Sequence, residues 1–276
     1  VGSFLLFARH NQGMEINNRY IPREYLALKI NYCKKQLAEL PEVRVRTSRP
    51  DSKTSSTILL GNHRYAFNST KGQKLYNLLG LRESLECKLQ FYNVIWNSYF
   101  KDLPLADCLP QKVQRTLFVD YNKHITMNKA FFDSLSNDTN KKYPKNTNYL
   151  FNGINYRSAS ERDIAILYTE LGIPFKYEPS VSLAGLPNPI NPDFVLYIEE
   201  LDTCKFHEHL GIKDSSDYLR ITKIKYGNYT NAGLIPDLDI LFTYDTAEMP
   251  FDIRYLLAKL NASIYGSIIS GKNQSA

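Results

Sequence analysis

Apolar positions divide the chain into a front of helices and short strands and a back richer in strands. Within "NRYIPREYLALKINYCKKQLAEL", Leu26, Ile30, Cys33 and Leu37 recur at helical spacing, with Pro22 near the first turn, and predict one amphipathic helix. "VRVRTSRPDSKTSSTILLGNHRYAF" alternates, then breaks at Ser/Asp/Pro and at Gly-Asn, which predicts strands or a β-hairpin. "GQKLYNLLGLRESLECKLQFYNVIWNSYF" returns to helical periodicity, expected as two pieces interrupted near Gly80. From Asn122 to Asn152 the chain is polar, and "SLSNDTNKKYPKNTN" reads as a linker. The expected organisation is therefore a mostly helical N-terminal domain over 1–140 and a second domain over 141–276. No internal repeat is visible.

In the second half, "SASERDIAILYTELGIP" opens with Ser158 three residues before Glu161, a capping box. Ile164, Leu167, Tyr168 and Leu171 form its apolar stripe, and Gly172 and Pro174 end it. Three candidate strands follow, "FKYEPSVSL", "PDFVLYI" and "KFHEHLG", then a helix over "DSSDYLRITKIKYGNY" and a strand over "LDILFTYD". Helix, three strands, helix, strand predicts an α/β (α+β) domain with a mixed sheet flanked by helices.

Composition narrows the class. An apolar fraction of 43% suits a folded chain rather than a disordered one. No run approaches the roughly 18 apolar residues of a membrane span. "VGSFLLFA" lacks the basic start and cleavage site of a signal peptide. Cys33, Cys87, Cys108 and Cys204 form no CxxC pair, so a reducing cytoplasmic setting is expected. Residues 1–150 hold 23 Lys/Arg against 12 Asp/Glu, whereas residues 151–276 hold 11 against 16. A basic front half attracts phosphate or is simply a solvated surface. Arg44, Arg46, Arg49, Lys53 and Arg64, along the predicted strands, are its candidate nucleic-acid contacts.

Two acids lie inside apolar strand patterns: Asp193 opens "PDFVLYI", and Glu208 sits within "KFHEHLG". Such carboxylates require a compensating cation, either a side chain or a metal ion. Fifteen residues apart on consecutive strands, they can meet at one site, with Glu161 joining from the preceding helix. Oxygen ligands of this kind suit Mg²⁺ or Mn²⁺. Taken singly, each acid also reads as a strand-end or capping residue facing water. Cys204, His207 and His209 carry a weaker zinc reading, because strand alternation sends Cys204 to the face opposite the two histidines. His10, His63 and His124 are isolated and read as structural or surface residues. No Gly-rich phosphate loop or GxSxG is present, which argues against an NTPase and a serine hydrolase.

"YRSASERDIAILYTELGIPFKYE", "NPDF", "HEHLG" and "GLIPDLDILFTYD" together resemble the PD-(D/E)XK nuclease superfamily, and more narrowly its bacterial and phage members with an RSxSE…PDF…WEHLG…LIxT pattern. The likeness covers roughly residues 143–246. "YIP" at residues 20–22 and the following helix are similar to the front of the same proteins. The resemblance implies a restriction-endonuclease-like core and a metal-dependent cut of a DNA phosphodiester. Asp193 would be the motif aspartate, Glu208 the acid of the (D/E)XK motif and Glu161 the acid of the first core helix. Together they would hold one or two divalent metals. The family's strand lysine, which assists the attacking water, is replaced here by Leu210. Lys225, in "KYGNYTNAG", matches a helix-borne substitute, with Lys223 as second choice, although either is also an ordinary solvated helix lysine. Two classes of function follow: a Mg²⁺- or Mn²⁺-dependent DNA endonuclease, with RNA as the other substrate its chemistry allows, or a silent nuclease-fold module that binds nucleic acid within a larger complex. A homodimer or a partner subunit is compatible with both.

Overall fold

The computed structural model describes residues 23–48, 55–105, 113–143, 145, 148–211, 216–245 and 250–272. The chain divides into two compact units, Pro22–Pro110 and a second formed mainly by Gln111–Ala276.

The first unit runs α1 (Arg23–Glu39), β1 (Val43–Ser48), β2 (Ser55–Leu60), β3 (His63–Ala66) and α2 (Thr70–Tyr99). Leu26, Ile30 and Cys33 are buried along α1, as their spacing requires. The β1–β2–β3 sheet is antiparallel throughout, and Gly61 takes a left-handed φ of 55° in the tight β2–β3 turn. Val43, Ile58 and Leu75 form its core with Leu60, Tyr65, Phe67 and Leu78 around them. Ser69 caps α2, its hydroxyl accepting from the Gly72 amide at 3.0 Å. From α2, Arg82 donates to the Leu40 carbonyl at 2.9 Å, satisfying an acceptor left open where α1 ends.

One expectation fails here. α2 is a single helix of 30 residues, unbroken at Gly80. Gly80 faces open space, so it costs only its conformational freedom, and the packed residues on either side outweigh that.

The second unit runs β4 (Thr116–Asp120), β5 (Lys123–Thr126), α3 (Lys129–Ser134), β6 (Leu150–Phe151), β7 (Ile154–Asn155), α4 (Ala159–Glu170), β8 (Phe175–Tyr177), β9 (Phe194–Ile198), β10 (Thr203–Gly211), α5 (Ser216–Asn231), β11 (Ile240–Asp245) and α6 (Ile253–Lys272). It is a mixed α+β unit around a four-stranded sheet of order β11-β10-β9-β8. β8, β9 and β10 are antiparallel neighbours, and α5 crosses over to β11, which is parallel to β10. Every residue of β9 is buried, so the sheet is covered on both faces. Val195, Tyr197, Cys204, Phe206, Ile240 and Phe242 pack on one face with Leu117, Phe131, Phe132 and Tyr229.

That cluster corrects the domain boundary. The polar stretch from Asn122 contains β5 and α3, and Leu117, Met127, Phe131, Phe132 and Leu135 are core residues of the second unit. Its polarity reflects a hairpin and a short helix lying on the surface of that core, with only their inward side chains apolar. The division lies near residue 110 rather than 140. No helix of the described residues is long and apolar enough to cross a membrane.

Gly72→Ala and Gly80→Ala are expected to act in opposite directions. A Cβ at Gly72 would lie 2.1 Å from the Ala66 carbonyl oxygen, whereas one at Gly80 meets nothing. Urea denaturation should show Gly80→Ala more stable by about 0.5–1 kcal/mol. Gly72→Ala should be less stable than wild type.

Candidate active site

The β9–β10 register sets the site. Phe194 pairs with His207, so Asp193, one residue before β9, falls opposite Glu208. The His209 amide donates to Asp193 Oδ2 at 2.7 Å, a main-chain donor spent on a carboxylate at the strand end. Alternation turns Glu208 toward α5 and turns His207 and His209 to the other face. On α5, Lys225 and Tyr229 stand four residues apart and share one side of the helix. Both reach Glu208: Lys225 Nζ lies 2.7 Å from Oε2, and the Tyr229 hydroxyl donates to Oε1. Glu208 is buried, with 1% of its side chain exposed against 40% for Lys225. Lys223, the alternative, is exposed on the helix.

Glu161 is brought in by the cap of α4. Ser158 Oγ accepts from the Glu161 amide at 3.1 Å, the expected half of a capping box. The return bond goes one residue further back, from the Arg157 amide to Glu161 Oε2 at 3.2 Å. Tyr177, at the end of β8, donates to the same oxygen at 2.6 Å. Arg157 then clamps Glu178 with two bonds, at 2.7 and 3.1 Å, and Lys145 Nζ approaches Glu178 at 3.3 Å.

Glu208, Lys225 and Glu161 all lie within electrostatic reach of Asp193. Asp193 is a partly exposed residue whose carboxyl is turned inward among the other three. Burial holds that carboxyl well above the usual aspartate range, and the negative charge of Glu208 adds to the shift. Lys225 and the His209 amide oppose it. Glu161 is also raised, by burial first, with the Tyr177 hydroxyl pulling the other way. Burial and the charge of Glu208 push the Tyr229 phenol well above its ordinary value, so it remains a donor.

The other face of β10 carries buried polar groups held in hydrogen bonds. His207 is fully buried between the Tyr168 hydroxyl at 2.7 Å and Thr243 Oγ1 at 2.8 Å, and burial holds it well below the usual histidine range. Lys205, also buried, bonds the Leu238 carbonyl at 2.7 Å and Ser267 Oγ at 2.8 Å, and burial brings it down to about 7. Cys204 points to the opposite face, 3.6 Å from the Asn128 carbonyl, so the zinc reading has no common site. Among the described residues no three His, Cys, Asp or Glu side chains converge as a ready metal cage.

Of the basic candidates, Arg44 and Arg46 lie on β1 and Arg64 on β3, all exposed. Arg49 and Lys53 lie outside the described residues, as do His10 and the "YIP" segment. Sequence reasoning passed over Tyr177 and Tyr229, the phenols that hold two of the acids. The signal for Tyr229 was its place four residues after Lys225, within a spacing already singled out. Compared with protein-family models, curated proteins and solved structures, the chain matches none.

Asp193 generates a pH prediction. A raised native carboxyl holds its proton in a pH range where the unfolded chain, near 3.9, has lost it. Its contribution to stability is therefore present below that value and lost as pH rises. In EDTA, Asp193→Asn should raise the urea midpoint at pH 7, and the gap to wild type should shrink toward pH 4. An equal gap at both pH values would remove Asp193 as the titrating group.

Proposed function

We propose that the second unit has a restriction-endonuclease-like core and that the protein is a Mg²⁺- or Mn²⁺-dependent DNA endonuclease. The observation that carries this reading is the acid pair Asp193 and Glu208, set opposite each other on β9 and β10 with Lys225 at 2.7 Å from Glu208. An acidic pair at a strand end, a third acid from a helix cap and one ammonium group make a constellation suited to phosphodiester hydrolysis.

Asp193 and Glu208, as two oxygen donors, suit a small hard cation that keeps several of its waters, while the three acids do not converge as a closed cage among the described residues. Asp193, Glu208 and Glu161 offer only oxygen, and the Asp193 carboxyl, raised by burial first and then by the charge of Glu208, is one that a bound cation would return toward its charged form. A divalent ion bound there would lower the pKa of water and neutralise charge developing on the phosphate. The protein's own residues supply the rest. Tyr229 and Tyr177 fix the rotamers of Glu208 and Glu161, and the His209 amide fixes Asp193. The Lys225 ammonium is half exposed, so it can turn from Glu208 to a nucleophilic water or a phosphate oxygen. It thereby fills the role of the lysine that Leu210 does not supply.

A second reading, a silent nucleic-acid-binding module, is favoured by one observation. Both Glu208 oxygens already have protein partners, and Leu210 is buried at 2% exposure in the core. Supercoiled plasmid incubated with Mg²⁺ or Mn²⁺ separates the two. Wild type should nick or linearise it, Asp193→Ala should not, and Lys225→Met should be slower by about 10²–10³-fold. In EDTA all three should shift DNA on a gel alike. Binding without metal-dependent cleavage by wild type would establish the silent module instead.

A further inference from the structure

The register of the small sheet in the first unit places three arginines together. Arg44 pairs with Leu59, and Leu59 pairs with Arg64, while Arg46 pairs with Thr57 and Thr57 with Ala66. Residues directly opposite share a face, as do residues two apart on one strand. Arg44, Arg46 and Arg64 therefore project from a single face, in two rows with Thr57, Leu59 and Ala66 between and beside them. The opposite face cannot take them, because Val43, Ile58, Leu60 and Tyr65 pack there with Leu75 and Leu78 of α2.

None of those six outward positions is acidic. Among the described residues, Arg44 forms an exposed ion pair with Glu42, 2.7 Å long. Guanidinium carries five donors, so Arg44 keeps others for a further acceptor. Like charges gathered on one sheet face repel, and among the described residues Glu42 is the acid paired with the three, offsetting Arg44 at the edge of the patch. Residues 22–110 as a whole carry 14 Lys/Arg against 8 Asp/Glu, so the first unit accounts for the whole of the chain's net charge of +6.

We propose that this face is the docking surface for the phosphate backbone of duplex DNA. The inference rests on the nuclease reading for its choice of partner. Arginine matches phosphate oxygens two at a time, which favours a phosphate rail over a diffuse acidic surface. The two rows span about 7 Å along the strand and about 10 Å across it, less than the roughly 12 Å of the major groove. A patch of that size follows one strand's phosphates. It holds the duplex without reading its sequence.

The test uses the full chain in EDTA, binding a short labelled duplex of arbitrary sequence at salt from about 50 to 200 mM. The variants are Arg44→Gln/Arg46→Gln/Arg64→Gln and a control of equal charge loss on exposed helix positions, Lys34→Gln/Lys35→Gln/Lys74→Gln. Each phosphate contact contributes about one unit to the slope of log affinity against log salt. The sheet variant should lose about three units of slope, so the salt series should weaken it about 40-fold less than wild type. The control should keep the wild-type slope. Equal losses in both variants would reduce the effect to overall charge and overturn the proposal, as would an unchanged sheet variant. The same arginines mediating tighter binding to duplex RNA or to anionic vesicles would overturn the choice of DNA. EDTA silences cleavage, so failure here leaves Asp193-dependent cutting untouched. Binding that maps to the three arginines in a chain unable to cut would sink the nuclease reading alone.

Discussion

The pairing of Phe194 with His207 is the constraint on which the second unit turns. It sets Asp193 across from Glu208 and simultaneously sends Phe206 and Leu210 into the apolar cluster. A slip of one residue would exchange the faces, burying His209 and Lys205 where Phe206 and Leu210 now pack. The register is therefore enforced by hydrophobic burial, and the acid pair is carried along with it. The carboxylates bring no attraction of their own, since the charge of Glu208 raises the cost of ionising Asp193. Their proximity is stabilised from outside by one ammonium, one main-chain amide and one phenol.

β10 shows how the same residue types serve different ends on its two faces. Lys205 and His207 lie inside a satisfied hydrogen-bond network with Ser267, Tyr168 and Thr243. Burial drives both toward their neutral forms. Glu208, between His207 and His209 in sequence, faces a helix that offers it a charge and a donor. The difference is not how deeply the groups are buried but whether the neighbour can match a charge. That distinction separates core polarity from candidate chemistry here.

Much of this was legible in advance, for identifiable reasons. The order of strands and helices after Ala159 follows from sharp punctuation: Ser158 as cap, Gly172 and Pro174 as stop, and short apolar runs too brief for helices. Asp193 and Glu208 stood out because acids seldom interrupt such runs, whereas Lys225 was expected only through the family resemblance carried by "KYGNYTNAG". What could not be read was tertiary compensation. Gly80 looked like a break because its cost is local, while the packing that overrides it is not. The second strand of the hairpin and the short helix, inside the polar stretch from Asn122, were passed over because a surface element shows only a few inward residues to a periodicity search. Tyr177 and Tyr229 were hidden among twenty tyrosines, since nothing in composition tells a phenol that faces a carboxylate from one that faces solvent.

The position of Lys225 has a consequence for how the site behaves as a mechanical object. A lysine two residues beyond the acid on the same strand would be held by the pleat, and its separation from the acid would be nearly invariant. Here the separation is the gap between a helix and the sheet beneath it, maintained by Tyr226 and Tyr229 against Phe242. Helices slide on sheets more easily than strands stretch. The ion pair is thus a gauge of how α5 is seated, and the tyrosine–phenylalanine contacts are the spring that sets its zero.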